Sequence, residues 1–347
     1  MKKLGVALIG CGTIGQIHAM SFKASPYVDL VVACDIVVDK AVVLANKYGF
    51  KEYSTDYREA IDRDDIHIVS VATPPKYHAE IAIYALKRGK HVLCEKPMTT
   101  KLSDALKMVK VAKEKNLKLC IDYQNRFLPA YQEAKKLIER GCIGEILQVR
   151  ARIAYHILEV LSPDSSMLKW LFNPEVAGGG VLFDIGSHWI DLMMWLSNKR
   201  VKKVFALLGN LDPKIPLAVE DSAILVCELE ERTQAIVDVS WAVKKSPPLV
   251  EVYGSKGTVI AGLPYGLMYC TEACEPVNRW TVVELPAGEE PHLVLIRKFI
   301  NSIIEDKEPP VTGFDGYYSL KVLVKAYESA KEGKVKVVDY SEVNSSL

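Results

Sequence analysis

The chain has no apolar run approaching the roughly 18 residues needed to cross a bilayer, which argues against a helical membrane protein. It has no excess of one charge either. With 44 Lys and Arg against 43 Asp and Glu, there is no global field to draw it onto nucleic acid or an anionic membrane, and any ligand must be recognised locally. Internal repeats and low-complexity linkers are missing, and a composition of 49% hydrophobic and 25% charged residues excludes disorder. Paired metal-spaced cysteines are missing too: Cys270 and Cys274 form C-x3-C with no second pair and no close His, so no metal site is expected. Met1-Lys2-Lys3 leads into a strand-like run ending at Gly10-Cys11-Gly12, not into a small-residue cleavage site, so a cytoplasmic location is expected. The cysteines agree, since Cys34, Cys94, Cys120 and Cys227 lie in β-rich apolar runs where a reduced thiol acts as a small hydrophobe.

What is present is enough chain, at 347 residues, for two domains. Up to Asp122, short β-rich runs alternate with one-sided helical patterns. The expected strands are Gly5–Ile9, Leu30–Cys34, Ile66–Ala72, His91–Cys94 and Lys118–Ile121, with Tyr77–Lys87 and Leu102–Lys115 among the helices between them. This predicts an α/β fold whose N-terminal domain, residues 1–122, is a Rossmann-type doubly wound parallel sheet. Beyond a helix at Pro129–Arg140 the rhythm changes. Strand-like Ile146–Ala154, Val201–Leu208, Ala223–Leu229, Ala235–Trp241 and Leu249–Tyr253 predict a mostly antiparallel open sheet in a C-terminal α+β domain, residues 123–347. Helices at Val181–Leu196, Leu293–Glu305 and Tyr317–Lys331 complete it. A cleft between two directly packed halves is the expected ligand site.

Gly10-Cys11-Gly12-Thr13-Ile14-Gly15 fits G-x-G-x-x-G, a weak pattern alone and a stronger one here because a strand precedes it and a helix follows. Backbone N–H groups at that helix start suit a pyrophosphate, and absent side chains let it approach. Asp35 closes the second strand twenty positions after Gly15, where a carboxylate binds ribose hydroxyls and repels a 2′-phosphate. Ile36, where Ser or Arg would suit a phosphate, also favours NAD over NADP, while Lys40 leaves NADP open.

Glu95-Lys96-Pro97 follows the fifth strand on the edge where open α/β sheets bind ligands. Lys96 reads either as surface charge or, beside a nicotinamide, as a donor to the reacting oxygen. Asp184 and His188, four apart on a predicted helix opened by Gly178-Gly179-Gly180, share one face. His188 could accept a hydroxyl proton while Asp184 orients it or binds a neighbouring hydroxyl; a capping or surface pair is the rival reading. Asp191 continues the stripe among core-like residues and is read as structural.

Taken with Thr73-Pro74-x-x-x-His78, Arg126-Phe127 and the C-terminal Ala326-Tyr327-Glu328-Ser329-Ala330 helix, these motifs make nearly the whole chain resemble the Gfo/Idh/MocA oxidoreductase family, which includes glucose-fructose oxidoreductase and inositol dehydrogenase. The resemblance implies hydride transfer between a nicotinamide cofactor and a hydroxyl-bearing carbon of a sugar or cyclic polyol, with Lys96, Asp184 and His188 at catalytic positions. It implies cofactor contacts at Gly10, Gly12, Thr13, Ile14, Gly15, Asp35, Ile36, Thr73, Pro74, His78, Glu95, Lys96 and Arg126, and substrate contacts at Lys96, Trp170, Asp184 and His188. It further implies a homodimer or homotetramer built through the open sheet. His78 as a packing residue, Arg126 in an ion pair and Trp170 as a buried aromatic are the structural alternatives. Gln124-Asn125 ahead of Arg126 departs from the common family pattern and puts the contacts of that turn in doubt. Relatives that hydrolyse glycosides through transient oxidation, or that sense ligands without turnover, are the alternative functions. Substrate choice is expected in Tyr155–Trp170 and around Trp241–Lys245, where no motif can be decoded.

Overall fold

A computed structural model describes residues 3–162, 165–216, 218–244, 246–263 and 265–346. Its first sheet is parallel, with six strands in the order β3-β2-β1-β4-β5-β6. These are β1 (Leu4–Ile9), β2 (Val28–Cys34), β3 (Glu52–Ser54), β4 (Ile68–Val71), β5 (His91–Cys94) and β6 (Leu119–Ile121). Strands flanked by helices on both faces must be apolar throughout, and Val6, Ala7, Leu8, Ile68, Val69, Val92 and Leu93 are completely buried. Helices α1 (Thr13–Lys23), α2 (Val38–Tyr48), α3 (Tyr57–Ile61), α4 (Pro75–Lys87) and α5 (Leu102–Glu114) make the crossovers. The strand order reverses between β1 and β4, and ligands of such sheets bind outside the carboxyl ends of the strands at that point.

The second sheet holds nine strands in the order β14-β13-β12-β11-β7-β10-β9-β8-β15. They are β7 (Ile146–Ala154), β8 (Val201–Gly209), β9 (Ser222–Leu229), β10 (Gln234–Ser240), β11 (Ser246–Gly254), β12 (Gly257–Gly262), β13 (Gly266–Thr271), β14 (Thr281–Val282) and β15 (Lys336–Val337). All pairings are antiparallel except β10 with β7. Alternation along the strands buries one face: Ala223, Leu225 and Cys227 point inward while Ile224 and Val226 are exposed. The helices of this half are α6 (Pro129–Glu139), α7 (Ile157–Val160), α8 (Ser166–Leu171), α9 (Pro174–Ala177) and α10 (Ser187–Ser197), with a π-helical turn at Leu182–Gly186 before α10. After them come α11 (Pro291–Ile304), α12 (Gly313–Glu332) and α13 (Ser341–Ser346).

The expected single cut between residues 122 and 123 does not describe the compact units. One comprises Met1–Gln124, Glu289–Tyr317 and Val343–Leu347, the other Asn125–Gly288 and Tyr318–Glu342. The reason is α11, whose apolar residues Leu295, Ile296, Phe299 and Ile300 are fully buried and which packs against α1 of the Rossmann sheet. The cysteines hold one pairing that the sequence reading did not anticipate. Cys11, Cys34, Cys94, Cys120, Cys227 and Cys270 are free thiols, but Cys142 and Cys274 form a disulfide across 132 residues of chain. No helix among the described residues is long and apolar enough to cross a membrane.

Candidate active site

Several residues singled out in the first half lie along one edge of the parallel sheet, because each comes just past the end of a strand: Gly10 after β1, Asp35 after β2, Thr73 two residues after β4, Glu95 after β5. Gly10 has φ +101°, and a Cβ there would sit 2.4 Å from the Ala72 carbonyl oxygen. A Cβ at Gly15 would lie 2.0 Å from the Gly10 carbonyl oxygen, so the loop closes tightly only with glycine at both positions. A Cβ on Gly12 would meet nothing within 4 Å. That open side faces the start of α1, which has no side-chain cap and no acidic residue in its first turn, leaving the N–H groups around Thr13 and Ile14 for an anion.

Asp35 is held firmly, with Oδ2 accepting from the Cys11 N–H (2.8 Å) and Oδ1 from the Val37 N–H (2.9 Å). Ile36 beside it is 91% exposed, an apolar surface suited to a flat aromatic ring. The Thr73 hydroxyl is buried and has no hydrogen-bond partner among the described residues. An open glycine cradle, an uncapped helix start, a fixed carboxylate and an orphaned hydroxyl are the features a dinucleotide needs, so these residues fit one. His78 is completely buried, its ring set between the Thr73 carbonyl (2.6 Å) and the Pro97 carbonyl (3.0 Å). Burial holds it below its ordinary value. It therefore reaches a cofactor only through the two turns that it ties together, next to Pro74 and to the cis Lys96–Pro97 peptide.

Lys96 is half-buried, and its N–H donates to Glu95 Oε2 at 3.1 Å. Glu95 is itself almost buried and belongs to a group that sequence reading missed. His18 Nε2 lies 3.1 Å from Glu95 Oε1 and 2.8 Å from Asp122 Oδ2, and His292 completes the group. Burial alone would lower His18, but the flanking Asp122 and Glu95 carboxylates outweigh it and push the ring up to about 9. Burial, then the Glu95 charge, raises Asp122.

In the second unit, Asp184 sits in the π turn and His188 in the first turn of α10, so the expected continuous α-helix is interrupted between them. A π turn closes with i→i+5 bonds and re-aims the side chains that it carries. The triple glycine is explained by Glu220, a buried residue with no sequence signal. Its carboxylate accepts from the Gly180 N–H (3.1 and 3.0 Å), the Leu182 N–H (3.0 Å) and the Tyr327 hydroxyl (2.6 Å). Burial pushes that carboxyl up against these hydrogen bonds. A Cβ on Gly179 would meet the Tyr327 oxygen at 2.1 Å, and one on Gly180 the Glu220 carbonyl oxygen at 2.0 Å.

Arg126 is buried and forms a bidentate pair with Asp191 at 2.8 and 2.5 Å, which gives Asp191 its structural role. Trp170 is half-buried on α8. Tyr155, at the end of β7, has its phenol raised by burial and then by the Asp184 charge, which puts it in the neighbourhood of Asp184. His156 next to it pairs with Asp212 at 2.6 Å. Of the segments expected to select substrate, Pro163, Asp164 and Lys245 lie outside the described residues.

Known proteins share both halves. Residues 4–123 match the family described as oxidoreductase family, NAD-binding Rossmann fold, and residues 131–260 match the GFO/IDH/MocA C-terminal domain. The chain is 31% identical to D-glucoside 3-dehydrogenase of Escherichia coli over 95% of its own length and 96% of that protein. It is 36% identical to levoglucosan dehydrogenase of Pseudarthrobacter phenanthrenivorans over 62% of its own length and 57% of that protein. The solved structure of levoglucosan dehydrogenase in complex with NADH and levoglucosan superposes with a TM-score of 0.89 at 26% identity, covering 97% of this chain and 100% of that one.

Proposed function

The chain belongs to the Gfo/Idh/MocA oxidoreductase family, with its NAD-binding Rossmann domain, and from that premise we propose that it oxidises a hydroxyl-bearing carbon of a sugar or cyclic polyol with NAD. The observation that carries the reading is the sheet edge on which the Gly10–Gly15 loop, Asp35 and the orphaned Thr73 hydroxyl are followed by Lys96, one residue past Glu95. The sugar class is supported by the relatives, among them dehydrogenases named for a glucoside and for levoglucosan.

When bound, NAD supplies the hydride acceptor. The chain's residues do the rest. His188 Nε2 takes the proton of the reacting hydroxyl, Lys96 Nζ donates to the same oxygen and stabilises its developing charge, and Asp184 holds a neighbouring hydroxyl or orients His188. Trp170 provides an apolar wall for a sugar ring. The cofactor is gripped by Gly10, Gly12, Thr13, Ile14, Gly15, Asp35, Ile36, Thr73 and Pro74, while His78, Glu95 and Arg126 brace the turns behind it. The open face of the second sheet is assigned to self-association, as a homodimer or homotetramer.

The test is growth of NADH absorbance with a panel of glucosides, anhydrosugars, aldoses and inositols. Turnover with at least one member is expected, and binding without turnover across the panel would overturn the reading. NAD should also bind tighter than NADP by about 1–3 kcal/mol, roughly tenfold to hundredfold, because a 2′-phosphate would face the Asp35 carboxylate. Asp35→Ser should narrow that gap, and equal affinities of the unaltered protein in calorimetry would remove the argument from Asp35.

A further inference from the structure

Directly beneath the Lys96 turn, four elements of the first unit each contribute one buried donor group: His18 from α1, Glu95 after β5, Asp122 after β6 and His292 from the first turn of α11. His18 and Asp122 are completely buried, and Glu95 and His292 are each 7% exposed. One ligand atom from each residue can be chosen so that all four lie within 4.8 Å of one another. We propose that these four side chains bind one first-row divalent cation of the Zn2+ or Mn2+ class, and that the ion braces the backbone of Lys96.

The donor chemistry points to such an ion. Two imidazoles and two carboxylates suit borderline first-row metals, whereas Ca2+ and Mg2+ prefer oxygen shells. The outer contacts are those that orient metal-binding histidines. His292 Nδ1 lies 2.6 Å from Glu290 Oε1, and because a carboxylate only accepts, Nδ1 is the donor and Nε2 is the nitrogen whose lone pair a metal would take from the neutral ring. His18 Nδ1 meets the Ser70 hydroxyl at 2.8 Å, which leaves Nε2 as the nitrogen facing the two carboxylates. The second, independent observation is Asp122. Although Oδ2 is close to His18, neither carboxylate oxygen accepts a hydrogen bond in good geometry among the described residues. A buried carboxylate whose one contact is the His18 ring, with Oδ1 unanswered among the described residues, is costly, and a cation answers both oxygens together. A protonated His18 shared between Glu95 and Asp122 would account for three of the four groups and leaves the arrival of His292 unexplained.

Metal–nitrogen and metal–oxygen bonds of about 2.0–2.2 Å place tetrahedral ligand atoms roughly 3.4 Å apart. His18 Nε2 stands 2.8 and 3.1 Å from its two neighbours, so the ring withdraws by a few tenths of an ångström to admit the ion. The consequence for the neighbouring turn is direct. Glu95 presents Oε1 to the cluster while Oε2 accepts the Lys96 N–H, so an ion on Oε1 fixes the backbone from which the Lys96 side chain projects.

The test uses the full chain, stripped with a chelator, dialysed and titrated with Zn2+ by calorimetry and with Co2+ as a spectroscopic probe. One Zn2+ per chain is expected, with Co2+ absorption typical of nitrogen and oxygen donors and no thiolate charge-transfer band, which separates this site from any binding by cysteine. Asp122→Asn and His292→Gln should each weaken Zn2+ binding by at least about tenfold to hundredfold, and Ser70→Ala by about tenfold. Should both ligand variants fail to fold by circular dichroism, Glu290→Gln, outside the donor set, carries the same test. Absence of stoichiometric Zn2+ binding, a cysteine-type Co2+ spectrum, or affinity unchanged in the folded variants would overturn the proposal. Binding is read without cofactor or substrate, so the result is independent of the dehydrogenase reading.

Discussion

His188 is the residue on which the proposed chemistry depends. His188→Ala is expected to leave NAD affinity nearly intact and lower kcat by about 10²–10⁴, the span for losing a general base. Lys96→Ala should be comparably severe, and the double variant little worse than either single one, since groups serving one proton transfer cannot be removed twice. Near-normal turnover of His188→Ala would return the Asp184 and His188 positions to a structural role. Elsewhere a histidine sets acid stability. His91 Nδ1 accepts the Lys118 N–H at 3.0 Å, and burial followed by the Lys118 and His67 charges lowers the ring to about 4. The folded value lies below the ordinary 6.5, so the unfolded chain takes up the proton first. Stability present above that ordinary value is therefore lost as pH falls toward the folded one, on the order of 3 kcal/mol in all. Urea titrations at neutral and mildly acidic pH should show the loss, and His91→Gln should flatten it. Such residues were unequally legible. Gly10, Asp35 and Lys96 announce themselves through strand-end position, but Glu220 and His18 sit in unremarkable local sequence and acquire meaning only from partners distant along the chain.

Among the elements, the π turn and α10 deserve a test of their own because they carry Asp184 and His188. Glu220 is the anchor at their start, and Glu220→Gln leaves at most one side-chain oxygen for donors from Gly180, Leu182 and Tyr327. A loss of about 1–3 kcal/mol in urea denaturation is expected, with Tyr327→Phe costing about 1 kcal/mol. Both should lower kcat more than they weaken NAD binding, since the dinucleotide cradle is in the other unit. Unchanged stability and turnover in Glu220→Gln would mean that the turn holds itself. Parallel strands and long amphipathic helices were readable because their periodicity runs over many residues. The short elements were not, among them the two-residue strands β14 and β15 and the helices α7, α8 and α9, and other elements hid for particular reasons. β3 is a three-residue, mostly exposed edge strand with no apolar run. β12 and β13 are short and begin or end in glycine, so their alternation is broken. The π turn is hidden because its apolar spacing mimics that of the α-helix it interrupts.

At the scale of the whole chain, sequence order misleads: residues 289–317 return to the first unit, a disulfide joins Cys142 to Cys274, and the four buried donors around Glu95 span residues 18 to 292. No local pattern encodes such closures, which depend on which faces remain to be covered once the sheets have formed. One face of the second sheet stays uncovered. Leu207 (60% exposed) on β8 and Ile224 (43%) on β9 are paired neighbours, and Val226 (52%) follows Ile224 on the same side. Lone exposed apolar residues are ordinary, but a contiguous set on the flat face of a sheet marks an interaction surface. Its regular pleat suits a second copy of the same face, giving a closed two-fold contact. Sedimentation should therefore show a dimer or tetramer at micromolar concentration. Ile224→Lys with Val226→Lys should shift it to monomer, because four like charges would meet across the axis in a desolvated interface. NAD binding should survive in that variant, as the substituted strand belongs to the other unit. A monomeric unaltered protein, or an oligomer indifferent to the two lysines, would leave this face to some other partner.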